Sequence, residues 1–197
     1  MKLVSATGNG DFGLEINEEN RALASAVTST ECEHNTDKGN SFTINTGDIT
    51  LTDATETTLL YILNESDDPI FIPRINLYPG ASTGGTGDIV LSIIKSPASG
   101  AIITNANNCD IISNQNHGSF KPFVGKAYKG ATAEAPTAGT TTSSTRYSTF
   151  VDTKPVSDNL IILPKGTSLA VNYTPPASNT SQTVQVSTTV FFQDIVV

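Results

Sequence analysis

At 197 residues the chain is long enough for one independently folding domain, or for one domain plus an arm. Hydrophobic residues make up 37%, and Thr, Ser, Asn and Gly fill the difference, a mixture suited to many short strands and turns. The net charge of −8, with only 11 scattered Lys and Arg, argues against nucleic acid or an anionic membrane as partner, because phosphate binding needs clustered cations.

Met1-Lys2-Leu3-Val4 leads into polar residues instead of a signal core, and the longest apolar runs, such as Leu59 to Leu63, are too short to span a bilayer. A soluble protein without conventional secretion is expected. Residues 1–40 lack strand periodicity. Asn17 to Val27 predicts a short helix with Asn17 as N-cap and acids in its first turn, although only Leu23, Ala26 and Val27 form an apolar stripe. Glu31 to Gly39 is polar and turn-like. The segment 1–40 therefore reads as an arm, either a mobile tail or a strap that becomes ordered against another subunit.

From residue 41 to 197 the pattern is that of strands. Phe42 and Ile44 precede a turn at Asn45-Thr46-Gly47-Asp48, and Ile49 and Leu51 follow. Leu59, Leu60, Tyr61, Ile62 and Leu63 are apolar on both pleat faces, which places this strand at the centre of a sheet. Glu65-Ser66-Asp67-Asp68-Pro69 supplies turn chemistry, and the returning strand sets Phe71, Ile75 and Leu77 against Arg74, Asn76 and Tyr78. The two strands read as a central hairpin. Pro73 has no ladder donor, so one side of it must be an edge or a bulge. Asp88 to Lys95 is a further strand, and Ile111-Ile112 is expected to be buried. Gly130 to Arg146 is a small-residue loop without a packing face, hence exposed. Leu160 to Leu163 ends at a tight turn, Pro164-Lys165-Gly166, and Leu169, Val171 and Tyr173 alternate along a half-buried strand. In the last strand Val184, Val186, Val190 and Phe192 share one face. About eight strands without intervening helices predict an all-β, antiparallel β-sandwich of jelly-roll type carrying a mostly irregular N-terminal arm.

Candidate chemistry is sparse. Cys32, His34, Cys109 and His117 are the only thiols and imidazoles; two Cys and two His suit zinc, but their spacing matches no zinc-finger pattern. Both cysteines are expected to be free thiols, and the histidines to lie at the surface. Asp67-Asp68 lacks the ligand density of a calcium loop and reads as a pair of solvated turn carboxylates; Asp48 and Asp88 are ordinary turn or strand-start residues. No nucleophile elbow, phosphate loop or zinc-protease motif occurs. Asn64-Glu65-Ser66, Asn172-Tyr173-Thr174 and Asn179-Thr180-Ser181 match the glycosylation sequon, which matters only in a secreted eukaryotic setting. No catalytic, cofactor-binding or metal residue is assigned.

Several stretches together resemble small virion proteins of tailed bacteriophages. They are Glu19-Asn20-Arg21-Ala22-Leu23, Glu33-His34-Asn35-Thr36-Asp37-Lys38-Gly39-Asn40 running into Phe42-Thr43-Ile44-Asn45, Leu59 to Asn64, and Leu163-Pro164-Lys165-Gly166-Thr167-Ser168. The resemblance rests on packing and turn motifs and implies no active-site residue. It implies a β-sandwich subunit carried on the particle, assembled in the host cytoplasm and in contact with other virion proteins such as the major capsid protein. The expected role is a non-enzymatic capsid decoration or cement subunit forming a homo-oligomer, a trimer first. Strands apolar on both faces, with few helices to cover them, suggest that neighbouring subunits cover some faces. The alternatives are a host-glycan-binding module of a tail fibre or spike, and an oligomeric matrix or pilus-like subunit. The chain has no Trp and only five Tyr for the aromatic platform a sugar site commonly uses.

Overall fold

The computed structural model describes residues 3–4, 11–16, 22–26, 31–104, 107–147, 154–157 and 159–193. Its first strands, β1 (Leu3–Val4), β2 (Asp11–Ile16) and β3 (Ala22–Ala26), form a three-stranded antiparallel sheet in that order. The helix expected over 17–27 is thus replaced by extended chain at 22–26; the rest of that expectation, residues 17–21 and 27, lies outside the described residues. An isolated helix of that length with three apolar residues has too little to hold it, whereas pairing with β2 satisfies the backbone. A helix falls instead at α1 (Glu31–Asp37), in the stretch that reads as turn-like. The overlooked signal is Thr30-x-x-Glu33, the capping-box pattern. The helix ends in a Schellman motif: Asn40 N donates to Asn35 O (2.8 Å) and Gly39 N to Thr36 O (2.9 Å). Gly39 sits at φ +71, and a Cβ there would fall 2.2 Å from Ser119 Oγ, so only glycine closes this helix against the loop it touches.

The remaining chain is a sandwich of two antiparallel sheets. Its strands are β4 (Ser41–Asn45), β5 (Ile49–Leu51), β6 (Thr57–Asn64), β7 (Ile70–Pro79), β8 (Ile89–Lys95), β9 (Asn107–Asn108), β10 (Ile111–Asn114) and β11 (Gly125–Lys129). They continue with β12 (Thr140–Tyr147), β13 (Lys154–Ser157), β14 (Ile161–Leu163), β15 (Ser168–Thr174) and β16 (Gln182–Phe192). One sheet runs β10-β4-β16-β7-β13, with β14 also on β7 and β5 on β16; the other runs β12-β8-β15-β6-β11-β9. Following β4, β6, β7, β8, β12, β14, β15 and β16, the chain changes sheet at every step except β8 to β12. That is the jelly-roll connectivity, and it fixes the strand order that the sequence leaves open.

β6 lies between β15 and β11, at the sheet centre expected of it. It does not form a hairpin with β7, however, because the turn at 65–69 carries the chain from one sheet to the other. A strand apolar on both faces and a return strand with one core face are equally compatible with a crossing turn, so local pattern alone cannot separate the two cases. Pro73 behaves as its chemistry requires. The β7–β16 register slips between Arg74↔Thr189 and Phe71↔Phe191, and on the other side Pro73 falls in the gap between the β13 and β14 pairings. The extra residue shifts the alternation, so Ile70 and Ile72 are buried before it and Ile75 and Leu77 after it, while Phe71 turns outward onto Phe191 (centroids 5.4 Å apart). A second slip opposite Val171 and Asn172 lets both Leu59 and Leu60 enter the core.

The main core fills the space between the sheets, with Ile44, Leu51, Leu60, Ile62, Ile72 and Tyr173 among its fully buried side chains. β15, expected half-buried, is covered on both faces: Leu169, Val171 and Tyr173 face the main core, and Ala170 packs in a cluster on the other side. On the outer face of its sheet, a smaller cluster joins Tyr61, Ile94 and Ala170 to Ile102 of α2 (Ala101–Thr104). At this place the chain covers its own outer face, where the sequence suggests a neighbouring subunit. Two other expectations are corrected. Ile111 and Ile112 are 48% and 37% exposed, because β10 is an edge strand held by its ladder to β4 and by polar anchors, not by apolar burial. Thr140–Tyr147 is not loop but an edge strand, laddered to β8 from Thr140↔Lys95 to Tyr147↔Ile89. Its Thr-rich sequence favours extended backbone, and its side chains are exposed, as expected of the segment.

Candidate functional site

His34 and His117 are exposed, Cys109 is a buried free cysteine, and the side chain of Cys32 lies outside the described residues. Among the described residues no three His, Cys, Asp or Glu side chains are grouped to hold an ion. Burial pushes the Cys109 thiol up from 9.0 to about 12, with the Asp110 carboxylate adding to it and Lys129 opposing. Two results are expected. A thiol reagent at pH 8 leaves Cys109 unmodified in the folded protein and labels it on unfolding. Stability also falls with rising pH: the unfolded thiol ionises from about pH 9 while the folded one keeps its proton, so this contribution is whole below pH 9 and is lost as pH climbs towards 12. The slope from this one group is at most ~1.4 kcal/mol per unit. Rapid native labelling, or stability flat across that window, would contradict the burial argument.

The acidic turn is built by polar bonds rather than around a cation. Asp67 pairs with Lys165, and that hydrogen bond and charge hold its exposed carboxyl below the usual range. Ser66 Oγ accepts from Asp68 N (3.1 Å). Beneath the turn lies Asn64, fully buried. Its Nδ2 donates to Asp68 O (2.9 Å) and Leu163 O (2.8 Å), and its Oδ1 accepts from Ser66 N (2.9 Å). Its backbone also bonds Thr167 O and Gly166 N, so a single residue joins the β6–β7 turn to the β14–β15 turn.

The other two sequon asparagines do the same kind of work. Asn172, 3% exposed, accepts from Thr58 Oγ1 and donates to Glu56. Asn179, 4% exposed, donates to Leu51 O and Asp53 O and accepts from Ser82 Oγ. All three amides are spent inside the fold. The sequon matches are internal latches, not attachment points.

Among the described residues, a solvent-open cavity of about 230 Å³ lies at the end of the sandwich where β4 and β16 meet the loop 115–124. Its apolar walls are Phe42, Phe192, Pro122 and Val124; Asn40, Ser66, Asp68 and Lys121 supply polar groups. Phe42 and Phe192 belong to a trio with Phe123, with centroids 5.6–5.8 Å apart and tilted to edge-on geometry. Lys121 Nζ donates to Asn40 Oδ1 (2.8 Å), which fixes one rim. Sequence reasoning could not assemble this site, since its residues come from four segments separated by tens of positions. Phe120, which precedes the lining residues Lys121 and Pro122, is not part of the wall. It is 101% exposed.

No protein-family model matches the chain, and no curated protein is similar to it. Comparison with solved structures returns an infectious bursal disease virus Gx strain structure, 14% identical with a TM-score of 0.22, covering 92% of this chain and 37% of that one. It also returns T=1 particles derived from infectious bursal virus, 9% identical with a TM-score of 0.20, covering 96% and 48% of the two chains. A third is the crystal structure of an infectious bursal disease virus VP2 subviral particle, 10% identical with a TM-score of 0.18, covering 93% and 47%. This chain spans less than half the length of those chains. Superpositions this loose carry neither fold nor role, and the jelly-roll assignment stands on the strand order itself.

Proposed function

We propose that the chain is a non-enzymatic structural subunit of a virion, a capsid decoration or cement protein of a tailed bacteriophage acting as a small cyclic oligomer. The observation that carries this reading is the exposure of large apolar side chains on the edge strand β10 and in the loop that follows it, Ile111, Ile112, Phe120 and Val124. A chain of net charge −8 that leaves such groups in water has surface suited to neighbouring subunits. Jelly rolls serve as viral capsid domains and as lectins; that is analogy at the level of fold and supports the reading without selecting it. The sequence resemblance to phage virion proteins favours the first of the two. The test is electron microscopy of purified particles with this chain located in the map: regular copies on the head shell are expected, and absence from the particle would overturn the reading.

The cavity favours a second reading, a host-glycan-binding module, because aromatic rings there stand beside a carboxylate, an ammonium and a hydroxyl. A glycan array with the full chain separates the two: specific retention of a sugar supports the second reading, and none is expected under the first.

A further inference from the structure

We propose that Phe120 of one copy seats in the cavity of a second copy, and that the contact is reciprocal about a two-fold axis. The inference rests on the reading of this chain as an assembling subunit and names the contact by which two copies join.

Phe120 is held out in water by its surroundings instead of swinging on a loose loop. Ser119 N donates to Asn116 O (2.9 Å), Lys121 N to Ser119 Oγ (3.2 Å), and Asn114 Nδ2 to Lys121 O (3.3 Å). With both neighbours tied and Lys121 Nζ on Asn40, the backbone that carries the ring has little conformational freedom left to lose. Beside it lies a socket of matching chemistry. This surface cavity, of about 230 Å³ and open to solvent, has Phe42, Phe192, Pro122 and Val124 as its apolar wall and Asn40, Ser66, Asp68 and Lys121 as its polar one. An incoming ring would meet the exposed edges of Phe42 and Phe192, the two aromatic rings of the cavity wall.

The arrangement selects the partner. Lys121 and Pro122 line the socket, and Phe120 immediately precedes them, so knob and hole occupy one patch. Only a two-fold contact fills both holes when they are adjacent; a head-to-tail contact needs them on separate faces. Charge points the same way. Although each chain carries −8, the rim presents one carboxylate, Asp68, and one ammonium, Lys121, so two copies meeting there bring balanced charge. Val124, 46% exposed, lies within the same contact.

The test is sedimentation velocity of the full chain and of Phe120→Ser, a change at a side chain with no packing to lose. The wild-type chain is expected to self-associate, and the variant to do so about tenfold or more weakly, as loss of a central aromatic anchor implies. A second measurement places a photoreactive benzoylphenylalanine at position 120 in an equal mixture of light and ¹⁵N-labelled chains. Cross-links between differently labelled chains, ending in segments 66–68, 121–124 or at Phe42 and Phe192, are expected. Equal association by Phe120→Ser, a wild-type chain that stays monomeric, or cross-links within one chain only would each overturn the contact. The subunit reading fails separately: if the chain pairs through Phe120 yet is missing from purified particles, the contact stands and the virion role falls. If Phe120→Ser pairs normally and particles still carry it, the contact falls alone.

Discussion

Asn64→Ala is expected to destabilise the sandwich by about 1–3 kcal/mol, a large effect for a surface-turn neighbour. The substitution removes two donated bonds and one accepted bond; it strands the buried carbonyl of Leu163, while the half-buried Asp68 carbonyl and Ser66 amide can turn to water. Each buried group left without a partner costs roughly 1–3 kcal/mol. Asn64→Asp should be worse than Ala at neutral pH, because it keeps the acceptor facing Ser66 N but turns a carboxylate onto two carbonyl oxygens. Its deficit should shrink on acidification: the buried carboxyl has a raised pKa in the fold, so the variant is most stable where it is protonated and loses that stability as pH rises through the folded pKa. Urea unfolding at pH 5 and pH 8 reads both effects. An Ala variant within 1 kcal/mol of wild type would show that the two turns do not depend on this residue.

Leu60→Ala and Ile62→Ala should each cost about 2–5 kcal/mol through lost burial and the cavity left in a packed interior. Both side chains are fully buried on β6, and the neighbours β15 and β11 are fixed on either side by their ladders, so collapse around the gap is limited. Ser143→Ala on the exposed edge strand is the control, expected to stay within about 0.5 kcal/mol. The comparison is made by denaturant midpoints at unchanged slope. If the edge change proves the more costly, the core has been placed on the wrong strands.

The sandwich and its central strand were legible because burial on both faces leaves an unbroken apolar run, and because Pro73 announces a bulge from its missing donor. Phe71 was misassigned for the same reason: the bulge shifts the alternation by one residue, and nothing in Ile70-Phe71-Ile72 tells which of the two phases it takes. Residues 140–146 of that edge strand read as loop because their partner, β8, supplies the ladder while their own side chains are exposed. Ile111 and Ile112 erred in the opposite sense, apolar residues placed by the polar anchors that follow them, with Asn114 on Gly39 O and Gln115 on Thr43. The cavity was illegible in principle. It exists only where the helix end at Gly39, the turn at Ser66 and Asp68, the 121–124 segment and Phe192 converge, and no spacing along the chain encodes that meeting.

The placement of β16 between β4 and β7 governs when the domain can be born. Val186 faces Leu77, and Thr188 faces both Ile44 and Ile75, so the middle of one sheet waits for a strand synthesised some hundred and more residues after its neighbours. On the ribosome, β4 and β7 must remain without their shared partner until Gln182–Phe192 emerges. Pairings this distant in sequence make folding slow, on the order of milliseconds to seconds, and leave apolar strands open in the meantime. Nascent chains stalled before residue 182 should therefore be protease-sensitive throughout the sandwich, and resistance should appear in one step once the last strand has cleared the exit tunnel.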